Sequence, residues 1–163
     1  MTTKDGSSDD QQERPVETAQ DWDIRWILSV LPHRYPLLLV DRVLEMEPRK
    51  RVVAIKNVTF NEPVFQGHFP GQPVFPGVMM IEGMAQAGGL MLLHELEDRD
   101  SKLLYFTSID DCRFRRPVVP GDQMRYEVDV QRYRSTYCRL RGRVMVGDEL
   151  AAEATIASAT VDR

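Results

Sequence analysis

Apolar and polar positions change rhythm along this chain, and each rhythm predicts a different element. In "QMRYEVDVQRYR" they alternate strictly, with Met124, Tyr126, Val128 and Val130 on one face and Arg125, Glu127, Asp129 and Gln131 on the other. That is the period of a half-buried strand. "TYCRLRGRVMV" repeats it, with Cys138, Leu140 and Val144 opposite Tyr137, Arg139, Arg141 and Arg143. Gly147-Asp148 then reads as a hairpin turn into "ELAAEATIASATV". Earlier, "LLLVDRVLEMEP" and "RVVAIKNVTF" read as two strands joined at Pro48-Arg49-Lys50.

Between the two sets of strands the rhythm disappears. From Gly77 to about Glu97 the chain is apolar nearly all round, which predicts a helix that must be enclosed. Pro76 suits the first turn, where a missing N–H costs nothing. Glycines 83, 88 and 89 would weaken the helix by about 1 kcal/mol each relative to Ala, so their expected use is close approach of backbone to backbone. Before the helix, "NEPVFQGHFPGQPVFPG" has four prolines and three glycines in seventeen residues and reads as a shaped loop. Near the start, Asp23 can cap a short helix in which Ile24, Ile27, Leu28 and Leu31 share a face, and Pro32 stops it. The order of two strands, one apolar helix and four strands predicts an α+β fold, with a curved antiparallel sheet wrapped around the helix. Residues 1–20 carry five acids, two bases and almost no apolar side chains, so they are expected to be a disordered polar tail before a single domain at 21–163.

Composition narrows the function classes. At 163 residues with 42% apolar and 28% charged residues, one packed core needs neither metal nor crosslinks. A net charge of −4 is too mild for a nucleic-acid binder, and the N-terminus lacks the apolar core of a secretory signal. Cys112 and Cys138 have no metal-ligand spacing, which leaves two reduced thiols in a cytosolic protein. Residues 75–93 approach the length of a membrane span, but Glu82 at the centre opposes insertion and a buried helix is the better reading.

Candidate chemistry gathers around that helix. Glu82 is the one charged residue among the 25 between His68 and His94. A buried carboxylate without a partner is costly, and apolar surroundings are expected to raise its pKa and suit it to act as an acid. His68 precedes a rigid "FPGQPVFP" loop able to fold back over it. At Gly77 no side chain shields the N–H groups of the first turn, which attract developing negative charge. Together these are parts for acid–base chemistry beside a carbonyl, although each has a structural reading, such as a core carboxylate aided by Gln86 at i+4. His33 in "LPHRYP" reads as a loop anchor, and His94 as a partner of the helix dipole. Positions 113–143 hold nine bases against three acids, either a solvated face or a patch that steers an acidic partner.

Three stretches, "LPHRYPLLLVDRV", "NEPVFQGHFPGQPVFPGVMMIEGMAQAGG" and "IDDCRFRRPVVPGDQM", resemble the β-hydroxyacyl-acyl-carrier-protein dehydratases of the FabZ type, with a likeness running from about residue 24 to the end. "GHFPG" with Glu fourteen residues after His carries most of the specificity. The resemblance implies a hot-dog fold and dimers, often assembled three to a hexamer. It implies His68 as base and Glu82 as acid, contributed by opposite subunits, with Gly77 as backbone donor to the thioester carbonyl. Tyr105 would line or gate an acyl tunnel whose depth depends on Met79, Met80, Met84 and Met91. The implied reaction is dehydration of a (3R)-3-hydroxyacyl thioester on acyl carrier protein to the trans-2-enoyl product in fatty acid biosynthesis, without cofactor or metal. Glu rather than Asp at position 82 favours plain dehydration over additional double-bond isomerisation. Arg113, Arg115 and Arg116 become candidates for docking the acidic carrier protein. Rival readings are another hot-dog enzyme, a thioesterase or enoyl-CoA hydratase, and a non-catalytic acyl-binding subunit.

Overall fold

The first ordered turn forms because Asp23 caps it: its carboxylate accepts from the backbone N–H of Arg25 at 2.9 Å and of Trp26 at 3.1 Å. The computed structural model describes residues 22–163, and the expected tail at 1–20 lies outside the described residues. The capped helix, α1, spans Ile24–Val30. It buries Ile27, Val30 and Leu31, while Ile24 is 40% exposed. The buried face is therefore one step round from the expected one, because Val30 belongs to it and Ile24 does not.

Six strands follow: β1 (Arg42–Glu47), β2 (Arg51–Asn57), β3 (Lys102–Phe114), β4 (Gln123–Arg134), β5 (Tyr137–Val146) and β6 (Glu149–Asp162). They form one antiparallel sheet in the order β1-β2-β4-β5-β6-β3. The long helix α2 (Gly77–Leu93) interrupts them in sequence and lies across β2, β4, β5 and β6. Twelve of its seventeen residues are buried, so the sheet encloses it as its all-round apolarity requires. It ends four residues before the expected Glu97. Among the described residues no helix is long and apolar enough to cross a membrane, and no cluster of three His, Cys, Asp or Glu side chains could hold a metal.

The alternation in β4 and β5 is realised as expected. Met124, Tyr126, Val128, Cys138, Leu140 and Val144 are buried against α2. Glu127, on the outward face of β4, is also buried, under Arg51, Arg125 and Arg143. Three outward arginines thus cover one carboxylate, which explains how a charged position on that face escapes solvent.

The helix glycines have a different use from the expected one. A Cβ on Gly83 would lie 2.2 Å from the Tyr126 hydroxyl oxygen, and one on Gly88 would lie 2.4 Å from Leu140 Cδ1. What approaches the helix backbone is strand side chains, not strand backbone. Gly83→Ala is expected to destabilise the fold by about 1–3 kcal/mol through overpacking, outweighing a gain of about 1 kcal/mol in helix propensity. A thermal melt at or above wild type would mean that the Tyr126 ring has room to retreat.

Candidate active site

His68 sits in the loop that links β2 to α2, and the loop is fastened at several points. Its N–H donates to Val64 O at 2.9 Å, and its carbonyl accepts from the Val74 N–H at 3.0 Å. Phe69 and Gln72 exchange backbone bonds at 3.1 and 2.9 Å, so the chain folds back on itself between them. Upstream, Glu62 accepts from Lys56 Nζ at 2.6 Å, tying the loop entry to β2. Lys56 is almost fully buried on β2, a position that strand alternation alone does not mark as special.

The fold-back sets the chemistry of the imidazole. His68 Nδ1 lies 2.7 Å from the Val74 carbonyl oxygen. A carbonyl only accepts, so Nδ1 carries the proton and the Nε2 lone pair is left to act as a base. His68 shares a hollow of about 490 Å³ with Val74, Gly77, Phe114, Arg115 and Arg116. Gly77 opens α2 there; of the first-turn N–H groups, that of Met79 donates to Pro76 O at 3.0 Å, while that of Gly77 has no acceptor within the helix. The Phe114 ring covers the glycine so closely that a Cβ would lie 2.8 Å from Cε1.

Glu82 occupies different surroundings. Its Oε1 accepts from Gln86 Nε2 at 2.9 Å and lies 3.3 Å from His33 Nε2. Gln86 is itself clamped, donating to Leu37 O at 2.7 Å and accepting from the Leu39 N–H at 2.8 Å. Burial pushes the Glu82 carboxyl up, but the His33 and Gln86 hydrogen bonds and the His33 charge outweigh it, and the pKa is lowered. This overturns the expectation of a raised value. The apolar helix surface is only part of the environment: Gln86 donates from the next turn of the same helix, and His33 arrives from a loop that the helix periodicity does not show.

His33, expected to be a loop anchor, is thus a direct partner of Glu82. His94 keeps the role expected of it, with Nδ1 3.1 Å from the Met91 carbonyl in the last helical turn. Glu82, His33, Gln86, Leu31, Leu140 and the half-exposed Tyr105 line a second cavity of about 150 Å³. Leucines of α2 and β3 form its apolar wall. None of Met79, Met80, Met84 and Met91 lines it, because Met84 turns into the space over Gly142 and Met80 faces the His68 hollow.

The structure therefore brings His68 and Gly77 together, and Glu82 and Tyr105 together, but in separate hollows that share no lining residue. Helix geometry explains the separation: five residues from Gly77 to Glu82 amount to about 7.5 Å of rise and about 140° of rotation.

The three candidate docking arginines differ in their surroundings. Arg115 pairs with Glu153, and Arg116 pairs with Asp122 at 2.8 Å and Glu149 at 2.6 Å. Arg113 has no ion-pair partner among the described residues, and it lies one residue before the Phe114 that covers Gly77.

Comparisons with known proteins show the family and the fold. The FabA-like domain model matches residues 31–155. The chain is 54% identical over 148 residues to the 3-hydroxyacyl-acyl-carrier-protein dehydratase FabZ of Koribacter versatilis, covering 91% of this chain and 95% of that one. It is 56% identical over 135 residues to the protein of the same name from Symbiobacterium thermophilum, covering 83% and 94%. Among solved structures, the dehydratase heterocomplex ApeI:P from Xenorhabdus doucetiae superposes with a TM-score of 0.73 at 17% identity, covering 84% of this chain and 91% of that one. That last likeness establishes the shared hot-dog fold. By sequence, the chain belongs to the FabZ-type 3-hydroxyacyl-acyl-carrier-protein dehydratases of the FabA-like family.

Proposed function

We infer that the protein is a hydro-lyase that dehydrates a (3R)-3-hydroxyacyl chain carried as a thioester on acyl carrier protein, giving the trans-2-enoyl thioester in fatty acid biosynthesis. The observation that carries this reading is the His68–Val74 hydrogen bond beside the N-terminus of α2, which presents Nε2 as a base next to backbone donors. The thioester acidifies its own C2 proton, so a neutral imidazole is a strong enough base once the carbonyl is polarised. The Gly77 N–H polarises that carbonyl as negative charge develops on its oxygen. His68 Nε2 takes the C2 proton, the C3–O bond breaks with its electron pair, and the C2=C3 double bond forms. Glu82 gives a proton to the departing hydroxyl, which leaves as water. No cofactor enters the scheme.

The complete site is composite, with His68 and Gly77 from one chain facing Glu82 of a second. Two observations support this: within one chain the groups line separate hollows, and β3 is an edge strand with Tyr105, Phe106, Ile109 and Phe114 exposed along it. An exposed apolar edge invites pairing with another copy, and a two-fold pair would create two sites at once. The acyl chain then lies along the leucine-walled cavity past Tyr105. Arg115 and Arg116 line the His68 hollow and, with Arg113 nearby on β3, dock the acidic carrier protein, Arg113 supplying charge that no carboxylate among the described residues balances.

Mass spectrometry of a 3-hydroxyacyl carrier-protein thioester after incubation with the purified protein tests the reaction. Loss of one water supports dehydration, whereas release of free acid makes the protein a thioesterase and an unchanged substrate makes it a binding subunit. Subunit mixing tests the composite site. His68→Ala and Glu82→Gln, each inactive alone, are expected to regain roughly a quarter of wild-type activity when unfolded and refolded together, because half the dimers are mixed and each holds one intact site. No recovery despite proven mixing places both residues in one chain's site.

A further inference from the structure

Glu82 is asked to give up a proton, yet its surroundings hold it as a carboxylate. Oε1 faces two nitrogen donors, Gln86 Nε2 at 2.9 Å and His33 Nε2 at 3.3 Å. Gln86 cannot supply a proton: its amide is committed to Leu37 and Leu39 as well as to Glu82. Of the two donors only the imidazole can change its protonation near neutral pH. We propose that His33 and Glu82 work as one acid with a single transferable proton, held on the imidazole at rest and passed through Glu82 to the departing hydroxyl. This rests on the dehydratase reading above and extends its acid from one residue to two. His33 acts through Glu82, so it is a positioning and proton-holding residue and not a catalytic one.

Three features favour this arrangement. An imidazolium beside a carboxylate is neutral as a pair, so a largely apolar cavity holds it far more cheaply than it would hold either ion alone. The lowered pKa of Glu82 has the same origin, because His33 contributes both a hydrogen bond and charge against the effect of burial. Third, His33 Nδ1 is buried and has no hydrogen-bond partner among the described residues. Glu82 is thus the polar partner of that ring among the described residues.

The other titratable groups near the pair are Tyr105 from β3, Cys138 from β5, its thiol pushed up by burial, and Tyr126 from β4, its phenol pushed up by burial and by nearby carboxylates that include Glu82. Arg34, next to His33, turns its guanidinium onto the carbonyls of Leu28, Leu31 and His33. The proton balance closes without another reactant. His33 Nε2 gives its proton to Glu82, Glu82 gives one to the leaving oxygen, and the proton that His68 takes from C2 returns to the pair through solvent after release of product.

The test is the pH dependence of kcat for wild type, His33→Gln and Glu82→Gln on one 3-hydroxyacyl carrier-protein thioester. Glutamine keeps an N–H donor toward Glu82 but cannot titrate. His33→Gln is expected to lose about 10–10²-fold in kcat at pH 8, with little change in KM and a smaller deficit as pH falls toward 6. A deficit equal at every pH makes His33 a structural support, and a wild-type profile removes it altogether. Either result overturns the proposal. In parallel, the His33 imidazole proton resonances of the wild-type fold should shift their titration to lower pH in Glu82→Gln, and an unchanged midpoint also overturns it. If instead wild type does not dehydrate, or Glu82→Gln retains full activity, the dehydratase site itself is misassigned, whatever His33→Gln does.

Discussion

Replacing His68 with Ala is expected to lower turnover by about 10²–10⁴-fold while leaving the fold intact, the usual contribution of a positioned general base. The size of the effect follows from the geometry. Nδ1 is committed to the Val74 carbonyl at 2.7 Å, so Nε2 is left to act as the base beside the α2 N-terminus in that hollow. The fold should tolerate the change because the loop's shape is held by main-chain bonds, from His68 N–H to Val64 O and from Val74 N–H to His68 O. Losing the side-chain bond removes about 1 kcal/mol. Steady-state kinetics with a thermal melt of the same preparation checks both halves. Near-normal dehydration takes His68 out of the mechanism, and a collapse of the melting temperature makes it a structural loop residue.

Glu82→Gln is expected to be comparably inactive, about 10²-fold or more below wild type, since an amide has no proton to pass to the leaving oxygen. Its stability should hardly change. The introduced amide still presents an acceptor oxygen to Gln86 and His33, so neither donor is left unpaired. The charge contribution has a definite sign. The folded pKa is lowered, so ionised Glu82 stabilises the fold above its unfolded pKa of about 4.3, and that contribution is lost as pH falls through the folded value. The variant's melting temperature should therefore lie within about 4 °C of wild type at pH 7, corresponding to ~1 kcal/mol in a chain of this size, with the difference shrinking as pH falls through the folded value. A marked loss of stability that tracks the loss of activity would make Glu82 a core anchor and the acid assignment would fall.

Much of this site is legible in the sequence. Glu82 stands alone in an apolar helix, His68 lies fourteen residues before it in a loop of prolines and glycines, and Gly77 begins the helix between them. Such features are local. Proline and glycine shape a turn through their own φ preferences, strand alternation follows the pleat, and an all-round apolar helix has to be enclosed whatever encloses it. The inward faces of β4 and β5, the hairpin at Gly147-Asp148 and the order of elements are realised as the sequence implies.

Other features depend on what meets a residue from elsewhere in the chain. The glycines of α2 make room for Tyr126 and Leu140, side chains of strands that reach the helix only when the sheet curls round it. Arg115 and Arg116 meet the carboxylates of Glu153, Asp122 and Glu149, which strand pairing and the β3–β4 turn bring alongside. Above all, the lowering of the Glu82 pKa against burial owes most to His33, from a distant part of the chain, with Gln86 adding to it. The loop carrying that imidazole is held over the helix by Gln86, through the carbonyl of Leu37 and the N–H of Leu39. Sequence alone determined which groups this protein has for acid–base chemistry and on which local elements they sit, because those depend on neighbours a few residues apart. Tertiary structure decided which groups touch, and so which way the Glu82 pKa moves, because a pKa is set by whatever donors and charges lie within a few ångströms in space.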